Sequence, residues 1–399
     1  MDAELFDCLQ VNLAAHADRL HGAGTHLLLG AGLRFRPAPG PLGLPTVERG
    51  VRAQLTEATR RLGLVAGEPH TAASAADLTP ADGCYVVADA FHLPWLPYHR
   101  QRHMEHSFLL ENDGTDGVLI RDSYHNETPW GIARPGRWTL TRQEFAAAVP
   151  GPALAVRLRA AQPGAGHGGP PAAAEPETDF ADPSAVDAYA DAYRQHPDRA
   201  AALTRLTLET WLLARARELH AAYLCHTGRL PDGDALQAHL TAWKKLTEQV
   251  YLAHRRVERG RPEPQGLTDR LAALLHADPR LFGHGAEPAS AASAARKTEP
   301  RPPGVPEGLR RAVAATAARV LGTDEATLLA GAAFDSVPSF SSFRVVEIVE
   351  RLESELGIEF AADDLAPENL HHVDAVCRVV QRSNDGGAPR ALALDGEGR

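Results

Sequence analysis

Lysine is nearly absent from this chain of 399 residues, where it stands only at positions 244, 245 and 297. Arginine carries the remaining positive charge, and the formal net charge is −10. Because such a chain repels a phosphate backbone, nucleic acid is not expected as a partner. The sequence lacks a run of about 18 apolar residues, which predicts no membrane span. The acidic residues 1–7 do not resemble a signal peptide, so we predict a cytoplasmic protein.

Cysteine is scarce as well. The four cysteines stand at positions 8, 84, 225 and 377. They lack the spacing of a disulfide framework or a zinc site, so we expect reduced thiols. Histidines cluster at positions 92, 99, 103 and 106. Pro94 and Pro97 favour an extended loop there, and we predict no metal site. Gly30 and Gly32 lack the third glycine and the helix of a nucleotide loop, so neither ATP nor NAD is indicated.

The chain is too long for one ordinary core, and its composition changes along the sequence. The first part mixes helix and strand patterns, whereas leucines and tryptophans recur at helical spacings from about residue 186 to 282. Two stretches rich in glycine, proline and alanine separate the parts. We predict an α+β domain with an antiparallel sheet at 1–161, a linker at 162–178, an all-α helical domain at 179–283, a flexible linker at 284–304, a helical segment at 305–383 and a disordered tail at 384–399.

A candidate nucleophile lies near the N-terminus. Asp7 is predicted to cap a helix that runs to His21 and ends at Gly22, with Cys8 in its first turn. Because the exposed N–H groups of a helix start favour a thiolate, we expect a lowered pKa for the Cys8 thiol.

The base and its partner are predicted on a hairpin. His106 and Asp122 lie on two short strand patterns joined by Asp113-Gly114-Thr115, a strong hairpin signal. A turn centred on Gly114 would place the imidazole and the carboxylate directly opposite each other, with Cβ atoms about 5 Å apart. A thiol, a base and a carboxylate that orients the base together form an activated cysteine nucleophile.

Three further residues are candidates for the same site. Backbone N–H groups at the helix start, helped by Gln10, are the candidates for stabilising the oxyanion of an acyl-transfer intermediate. Asp89 follows an apolar strand, and it is predicted either to cap the next loop or to orient a substrate amine. His99 is predicted to be solvated or to line the substrate site.

The N-terminal region resembles a branch of the papain-like fold, the acyltransferases typified by the butirosin-biosynthesis enzyme that moves an acyl group from a carrier protein to an amine. The resemblance covers about 150 residues, in the order of these motifs: Asp7-Cys8-Leu9-Gln10, Leu29-Gly-Ala-Gly-Leu-Arg-Phe35, Asp89-Ala-Phe-His-Leu-Pro-Trp-Leu-Pro-Tyr98, His106-Ser-Phe and Val118-Leu-Ile-Arg-Asp122. It implies a nucleophilic Cys8, a general base at His106, and Asp122 as the residue that holds the imidazole tautomer.

The C-terminal region resembles acyl and peptidyl carrier proteins, four-helix domains. The likeness runs without a gap from Ser342 to Gly357-Ile358 and continues through a closing helix. In that family the serine before the helix carries a 4′-phosphopantetheine arm, and Ser342 is the matching position. Ser341 stands where the family usually has aspartate. Ser336, which follows Asp335 but comes six residues early, is the second choice.

These resemblances together imply a carrier-fused cysteine acyltransferase of natural-product metabolism, which passes an acyl or aminoacyl group from a phosphopantetheine thioester through Cys8 to an amine. Its partners would be a phosphopantetheinyl transferase, a separate adenylating or loading enzyme, and the amine acceptor or a carrier-bound acceptor. Two alternatives stay open. One is a cysteine hydrolase, either thioesterase or peptidase, with the same triad. The other is a non-catalytic carrier scaffold, in which the C-terminal segment serves only to dock partner enzymes.

Overall fold

A computed structural model describes residues 1–112, 114, 117–161, 174–283, 304–337, 340, 342–361, 364–365 and 367–386. The chain divides into two compact units. The first contains Met1–His254 and Thr268–Ala291, and the second contains Arg255–Leu267 and Ala292–Arg399.

The first unit combines helices with strands. In chain order, β1 to β13 are Gly32–Phe35, Ala38–Pro39, Pro45–Thr46, Leu64–Ala66, His70–Ala72, Cys84–Asp89, Glu105–Asn112, Val118–Asp122, Asn126–Thr128, Gly131–Ala133, Gly136–Leu140, Ala153–Ala160 and Glu177–Phe180. Its helices, α1 to α7, are Gln10–His21, Val51–Arg61, Arg142–Ala148, Pro183–Gln195, Arg199–His226, Asp234–Glu258 and Leu267–Phe282, although the end of α6 and the start of α7 belong to the second unit.

A seven-stranded antiparallel sheet forms the centre of this unit. Its strand order is β11-β8-β7-β6-β12-β4, and β5 also pairs with β12. β6 and β7 lie in the middle and are buried along almost their whole length, although only β6 has a nearly continuous apolar sequence and β7 also buries His106, Ser107 and Glu111. The predicted α+β class with an antiparallel sheet is confirmed.

One strand, β13, overlaps the end of the predicted linker at 162–178 and the first two residues of the predicted all-α domain at 179–283. β13 pairs in parallel with β1, so that Gly32 lies opposite Glu177 and Phe35 opposite Phe180. The apolar side chains around β1 also share a core with α5, in which Leu33 packs with Tyr223. Composition alone could not predict this pairing, because the two strands are separated by about 140 residues of sequence.

The two long helices α5 and α6 run antiparallel. Thr204 Oγ1 bonds to His254 Nε2 at 2.8 Å, and Thr247 Oγ1 donates to the Thr210 carbonyl at 3.3 Å. The leucines and tryptophans that recur at helical spacings lie in the core of this helical part, and Trp243 is fully buried there.

The second unit is helical among its described residues. Helices α8 to α12 are Glu307–Leu321, Glu325–Leu329, Ser342–Leu356, Pro367–Leu370 and Val373–Gly386. Gly357, directly after α10, has φ +65°, a left-handed conformation that favours glycine and ends the helix. Of the helices that the structure describes in either unit, none is both long and apolar enough to cross a membrane.

Candidate active site

The Cys8 segment begins α1 later than the sequence indicated. The helix starts at Gln10 rather than in the turn of Cys8, and Leu9 is its N-cap residue. The Asp7 carboxylate still satisfies the helix start, because Oδ1 accepts from the Leu9 and Gln10 N–H groups at 2.9 and 2.8 Å. The predicted end at Gly22 is confirmed. Cys8 therefore lies in the tight turn before the helix, not inside its first turn.

The hairpin has a different register from the predicted one. Asn112 pairs with Val118 and Leu109 with Arg121, so the turn is centred one residue after Gly114. His106 and Asp122 are consequently not directly opposite, since Asp122 lies two residues out of register with His106. The error comes from the turn, where the predicted Asp113 and Thr115 lie outside the described residues.

His106 and Asp122 nevertheless meet. The imidazole Nε2 and the Asp122 Oδ2 are 2.7 Å apart, and both side chains are buried. Burial alone would raise the pKa of Asp122, but His106, the Tyr124 N–H and the Asn12 amide outweigh it and lower that pKa. An ionised carboxylate can only accept, so Nε2 donates to Asp122, and in the neutral form of the ring Nδ1 is the acceptor. Nδ1 is buried and has no hydrogen-bond partner among the described residues.

Asp122 is held by neutral donors as well. Its Oδ2 accepts from the indole Nε1 of Trp95 at 3.1 Å. Its Oδ1 accepts from the Asn12 side-chain amide at 3.2 Å and from the Tyr124 N–H at 3.0 Å. The Asn12 carbonyl oxygen in turn accepts from the Ser123 N–H at 2.9 Å, which fixes the orientation of the amide. This network orients the carboxylate toward His106.

Cys8 lies beside this pair, almost fully buried. Its Sγ donates to the Glu105 carbonyl, one residue before His106, at 3.4 Å. The Ser107 hydroxyl, one residue after His106, donates to the Cys8 carbonyl at 2.5 Å. The cysteine turn is thus bonded to both residues that flank the histidine.

The expected low pKa of the Cys8 thiol is wrong for this structure. Burial raises the pKa well above its usual range, and the nearby charges of Asp7 and Asp122 raise it further. The backbone N–H of Cys8 and the Arg215 guanidinium act in the opposite direction but are weaker. The helix-start argument failed because the N–H groups that would have favoured the thiolate are already bonded to Asp7. At neutral pH, Cys8 is therefore a thiol.

The same bonds remove two of the backbone groups that were predicted as oxyanion donors, whereas the role of the Gln10 side chain stays a prediction. The N–H groups of Leu9 and Gln10 donate to Asp7 and are not available to a substrate oxygen. Gln10 is the first residue of α1 and is half-buried.

Asp89 and His99 lie near the site but not within the hydrogen-bond network of Asp122. Asp89 caps the loop after β6, as one of its two predicted roles required, because Oδ1 accepts from the Phe91 and Met104 N–H groups and Oδ2 bonds to His103 at 2.6 Å. His99 lines a surface cleft of about 570 Å³. The cleft is also lined by Phe91, Trp95, Arg100, Trp138 and Glu144. Trp95 joins the cleft to the site, since its indole N–H bonds to Asp122.

The two carrier serines are described to different extents. Ser342 is the first residue of α10, but its side chain lies outside the described residues, as does the whole of Ser341. Ser336 is exposed, and its hydroxyl donates to the Ala333 carbonyl at 2.6 Å within a single helical turn.

Several residues of the site were missed from the sequence. Asn12 had a usable signal, because it is a polar residue four positions after Cys8 within a run of apolar helix positions. Trp95 and Tyr98 belong to a motif that we compared with acyltransferases, but they were given no role. Arg215 and Asn126 had no signal, since only the tertiary structure brings them near the cysteine turn.

The sequence matches no protein-family model and shows no significant similarity to a curated protein. The functional argument therefore depends on the geometry of the site.

Proposed function

We propose that the protein is a cysteine acyltransferase of natural-product metabolism, which moves an acyl or aminoacyl group from a phosphopantetheine thioester through Cys8 to an amine. One observation carries the proposal. His106 is buried with Nε2 bonded to Asp122 and with Nδ1 unpartnered among the described residues, and Cys8 is bonded to the residue before it. A papain-like identity for the first unit fits the order Cys, His, Asp along the chain.

The chemistry follows from the thiol being neutral at rest. As the sulfur attacks a thioester carbonyl, Nδ1 of His106 accepts the thiol proton, and the buried charge of Asp122 stabilises the imidazolium that forms. The proton then passes to the leaving sulfur, which leaves an acyl group on Cys8. An amine attacks this acyl-enzyme, and His106 accepts a proton from the nitrogen. The C–S bond breaks, the Cys8 sulfur takes the proton from His106 and leaves as a thiol, and the amide is released.

The second unit is proposed to be a carrier domain, with three helices of 14 or 15 residues and two short helices of 4 and 5 residues among its described residues. The helix α10 begins at Ser342 and ends at a left-handed Gly357, as the carrier register requires. Ser342 would hold the 4′-phosphopantetheine arm, whose thiol would carry the acyl group as a thioester. Residues 305–383 include 13 acidic and 7 basic residues, a charge suited to docking on basic partner enzymes. A phosphopantetheinyl transferase, a separate loading enzyme and a cytoplasmic location belong to the same proposal.

Two variants test the nucleophile. Cys8→Ala should abolish transfer of an acyl group from a loaded carrier to an amine while leaving the circular dichroism spectrum and the unfolding transition unchanged. Cys84→Ala is the control, because Cys84 is also buried but lies at the start of β6, where it pairs with Leu110, four residues along β7 from His106. Near-wild-type turnover of Cys8→Ala would refute the nucleophile. Release of free acid without amide would favour the hydrolase instead.

Mass spectrometry tests the carrier. Coexpression with a broad-specificity phosphopantetheinyl transferase should add one arm to the wild-type chain and to Ser336→Ala, but none to Ser342→Ala. An arm mapped to Ser336 would show that the register is wrong. If neither serine is modified, the second unit serves only for docking, and Cys8 would take its acyl group from another chain.

A further inference from the structure

Most hydrogen-bond donors close to Cys8 along the chain are already in use. The Leu9 and Gln10 N–H groups donate to Asp7, and the Ser107 hydroxyl donates to the Cys8 carbonyl. Attack on a carbonyl converts its oxygen into an oxyanion, which needs donors that are not committed to other acceptors. The N–H of Cys8 itself bonds to no acceptor among the described residues and can supply one donor. A second donor is therefore sought elsewhere in the first unit.

Asn126 is a fixed amide beside the site. Its Oδ1 accepts from the Arg215 guanidinium at 3.0 Å and from the Trp211 indole N–H at 3.3 Å. Arginine and tryptophan side chains only donate, so the oxygen of the amide must face them. The amide nitrogen then faces the other way, and it donates to the Tyr98 hydroxyl oxygen at 2.9 Å.

Tyr98 consequently has a proton to give. Its oxygen accepts from Asn126, so its own O–H must find another acceptor. The only further partner of this hydroxyl among the described residues is the Tyr124 hydroxyl, at 3.5 Å, which is longer than the ordinary range of about 2.5–3.0 Å for such a bond. Tyr98 is buried, and burial raises the pKa of its hydroxyl, so the proton is retained at neutral pH.

Contacts link both tyrosines to the reacting groups. The Tyr124 ring packs edge-on against the His106 ring, with centroids 5.1 Å apart. Arg215, which holds Asn126, also donates to the Phe6 carbonyl, two residues before Cys8, at 2.6 Å, so that one guanidinium joins the cysteine turn to the Asn126–Tyr98 pair.

We propose that the Tyr98 hydroxyl is an oxyanion donor of the Cys8 site, aimed and polarised by Asn126, which Arg215 and Trp211 of α5 hold in place. The inference rests on the proposed acyl transfer. It assigns a catalytic role to Tyr98 and positioning roles to Asn126 and Arg215. Because Arg215 and Trp211 lie on α5, this helix would then contribute to the chemistry.

The step balances without a co-reactant. The Cys8 sulfur forms a bond to the carbonyl carbon, the electron pair of the carbonyl moves to its oxygen, and Nδ1 of His106 accepts the thiol proton. Tyr98 donates a hydrogen bond to the oxyanion and keeps its proton. When the carbonyl re-forms, the leaving sulfur departs with the proton from His106.

Two reactions of the same thiol separate this role from a structural one. Acylation by a small activated thioester, S-phenyl thioacetate, builds an oxyanion, whereas alkylation by iodoacetamide does not. Tyr98→Phe should slow acylation of Cys8 by about 10²–10³-fold, the usual cost of losing one oxyanion donor. It should change the alkylation rate less than about threefold, because the thiol and His106 remain. Intact-mass spectrometry measures both rates.

A second variant and a control sharpen the test. Asn126→Ala should slow acylation less than Tyr98→Phe does, again with little effect on alkylation. Tyr193→Phe removes a hydroxyl that donates to the Pro45 carbonyl in the same unit, and it should leave both rates unchanged. Equal acylation by Tyr98→Phe and the wild type would overturn the inference while leaving the acyltransferase proposal intact. A loss of both rates together would make Tyr98 structural and would also overturn it. If wild-type Cys8 is alkylated but never acylated, the proposed function fails and this inference fails with it.

Discussion

The first unit holds two buried aspartates that each bond to a histidine, and their surroundings differ in one respect. Asp122 lies 2.7 Å from His106 and is otherwise held by neutral donors. Asp278 is 2.9 Å from His239, and its other oxygen accepts a bidentate hydrogen bond from Arg217, which is itself fully buried.

The difference in counter-charge separates a reactive pair from a structural one. The charge of Asp278 is already neutralised by a permanent cation, so an added proton on His239 gains little from it. The charge of Asp122 has no arginine or lysine paired with it in the described part of the chain, and so it is available to stabilise an imidazolium on His106. The same two residue types thus support catalysis in one place and packing in the other.

The largest expected effect tests the comparison directly. Asp122→Asn should lower turnover by about 10⁴-fold with the fold intact, because an amide can stabilise the wrong imidazole tautomer and supplies no charge. Asp278→Asn should lower the free energy of unfolding instead. The turnover of each folded molecule should stay the same. Steady-state rates and thermal unfolding of both variants measure this. If both variants lose mainly stability and keep their turnover, Asp122 is not a catalytic partner of His106 and the contrast with Asp278 is wrong.

The second largest effect is expected on stability, from the Arg217–Asp278 ion pair. Arg217→Met leaves Asp278 as an uncompensated buried charge, so the free energy of unfolding should fall by about 3–5 kcal/mol. Replacing both partners, as Arg217→Met with Asp278→Leu, should recover most of that loss. Urea unfolding measures the free energy of unfolding of the wild type, the single variant and the double variant. A loss below about 1 kcal/mol in the single variant would show that the pair is not important for stability.

A smaller effect is expected from the two tryptophans that lie against these pairs. Trp95 donates to Asp122, whereas the Trp243 N–H lies 3.1 Å from Nε2 of His239, which already gives its proton to Asp278 and cannot accept. Trp95→Phe keeps an aromatic ring but loses the donor, and turnover should fall about 10-fold, consistent with a hydrogen bond to a charged group of roughly 1.5 kcal/mol. Trp243→Phe should reduce stability alone. Similar effects of the two substitutions on turnover would contradict the division of roles.

The smallest effect is a shift in the reactivity of the thiol. Because burial and the charges of Asp7 and Asp122 raise the pKa of Cys8, its alkylation should accelerate only above about pH 8.5, the ordinary thiol range. Removing one negative charge with Asp122→Asn should lower that pKa and move the inflection to lower pH. Iodoacetamide rates across pH, in a Cys225→Ala background that removes the half-exposed thiol, give the profile. An inflection well below pH 8 in the wild type would show a preformed thiolate.

Local sequence patterns were sufficient to predict several of the helices and strands that carry the site. The apolar run Cys84–Asp89 was predicted as a strand and is one, and α1 ends at Gly22 as predicted. His106 and Asp122 were placed on adjacent strands by the alternation of apolar residues around a turn signal. Such features depend on residues within a few positions of one another, so one sequence is enough to find them.

The tertiary structure decided how these residues act together. The register of the hairpin, the capture of the Leu9 and Gln10 N–H groups by Asp7, and the burial that keeps Cys8 neutral were all predicted differently. The contacts from Asn12 to Asp122 and from Arg215 to Asn126 join parts of the chain about 90 to 110 residues apart. The sequence by itself determined which reactive side chains are present and on which elements they lie. Only the packed chain determined their charges and free donors, because burial and hydrogen-bond partners arise from contacts that no local pattern encodes.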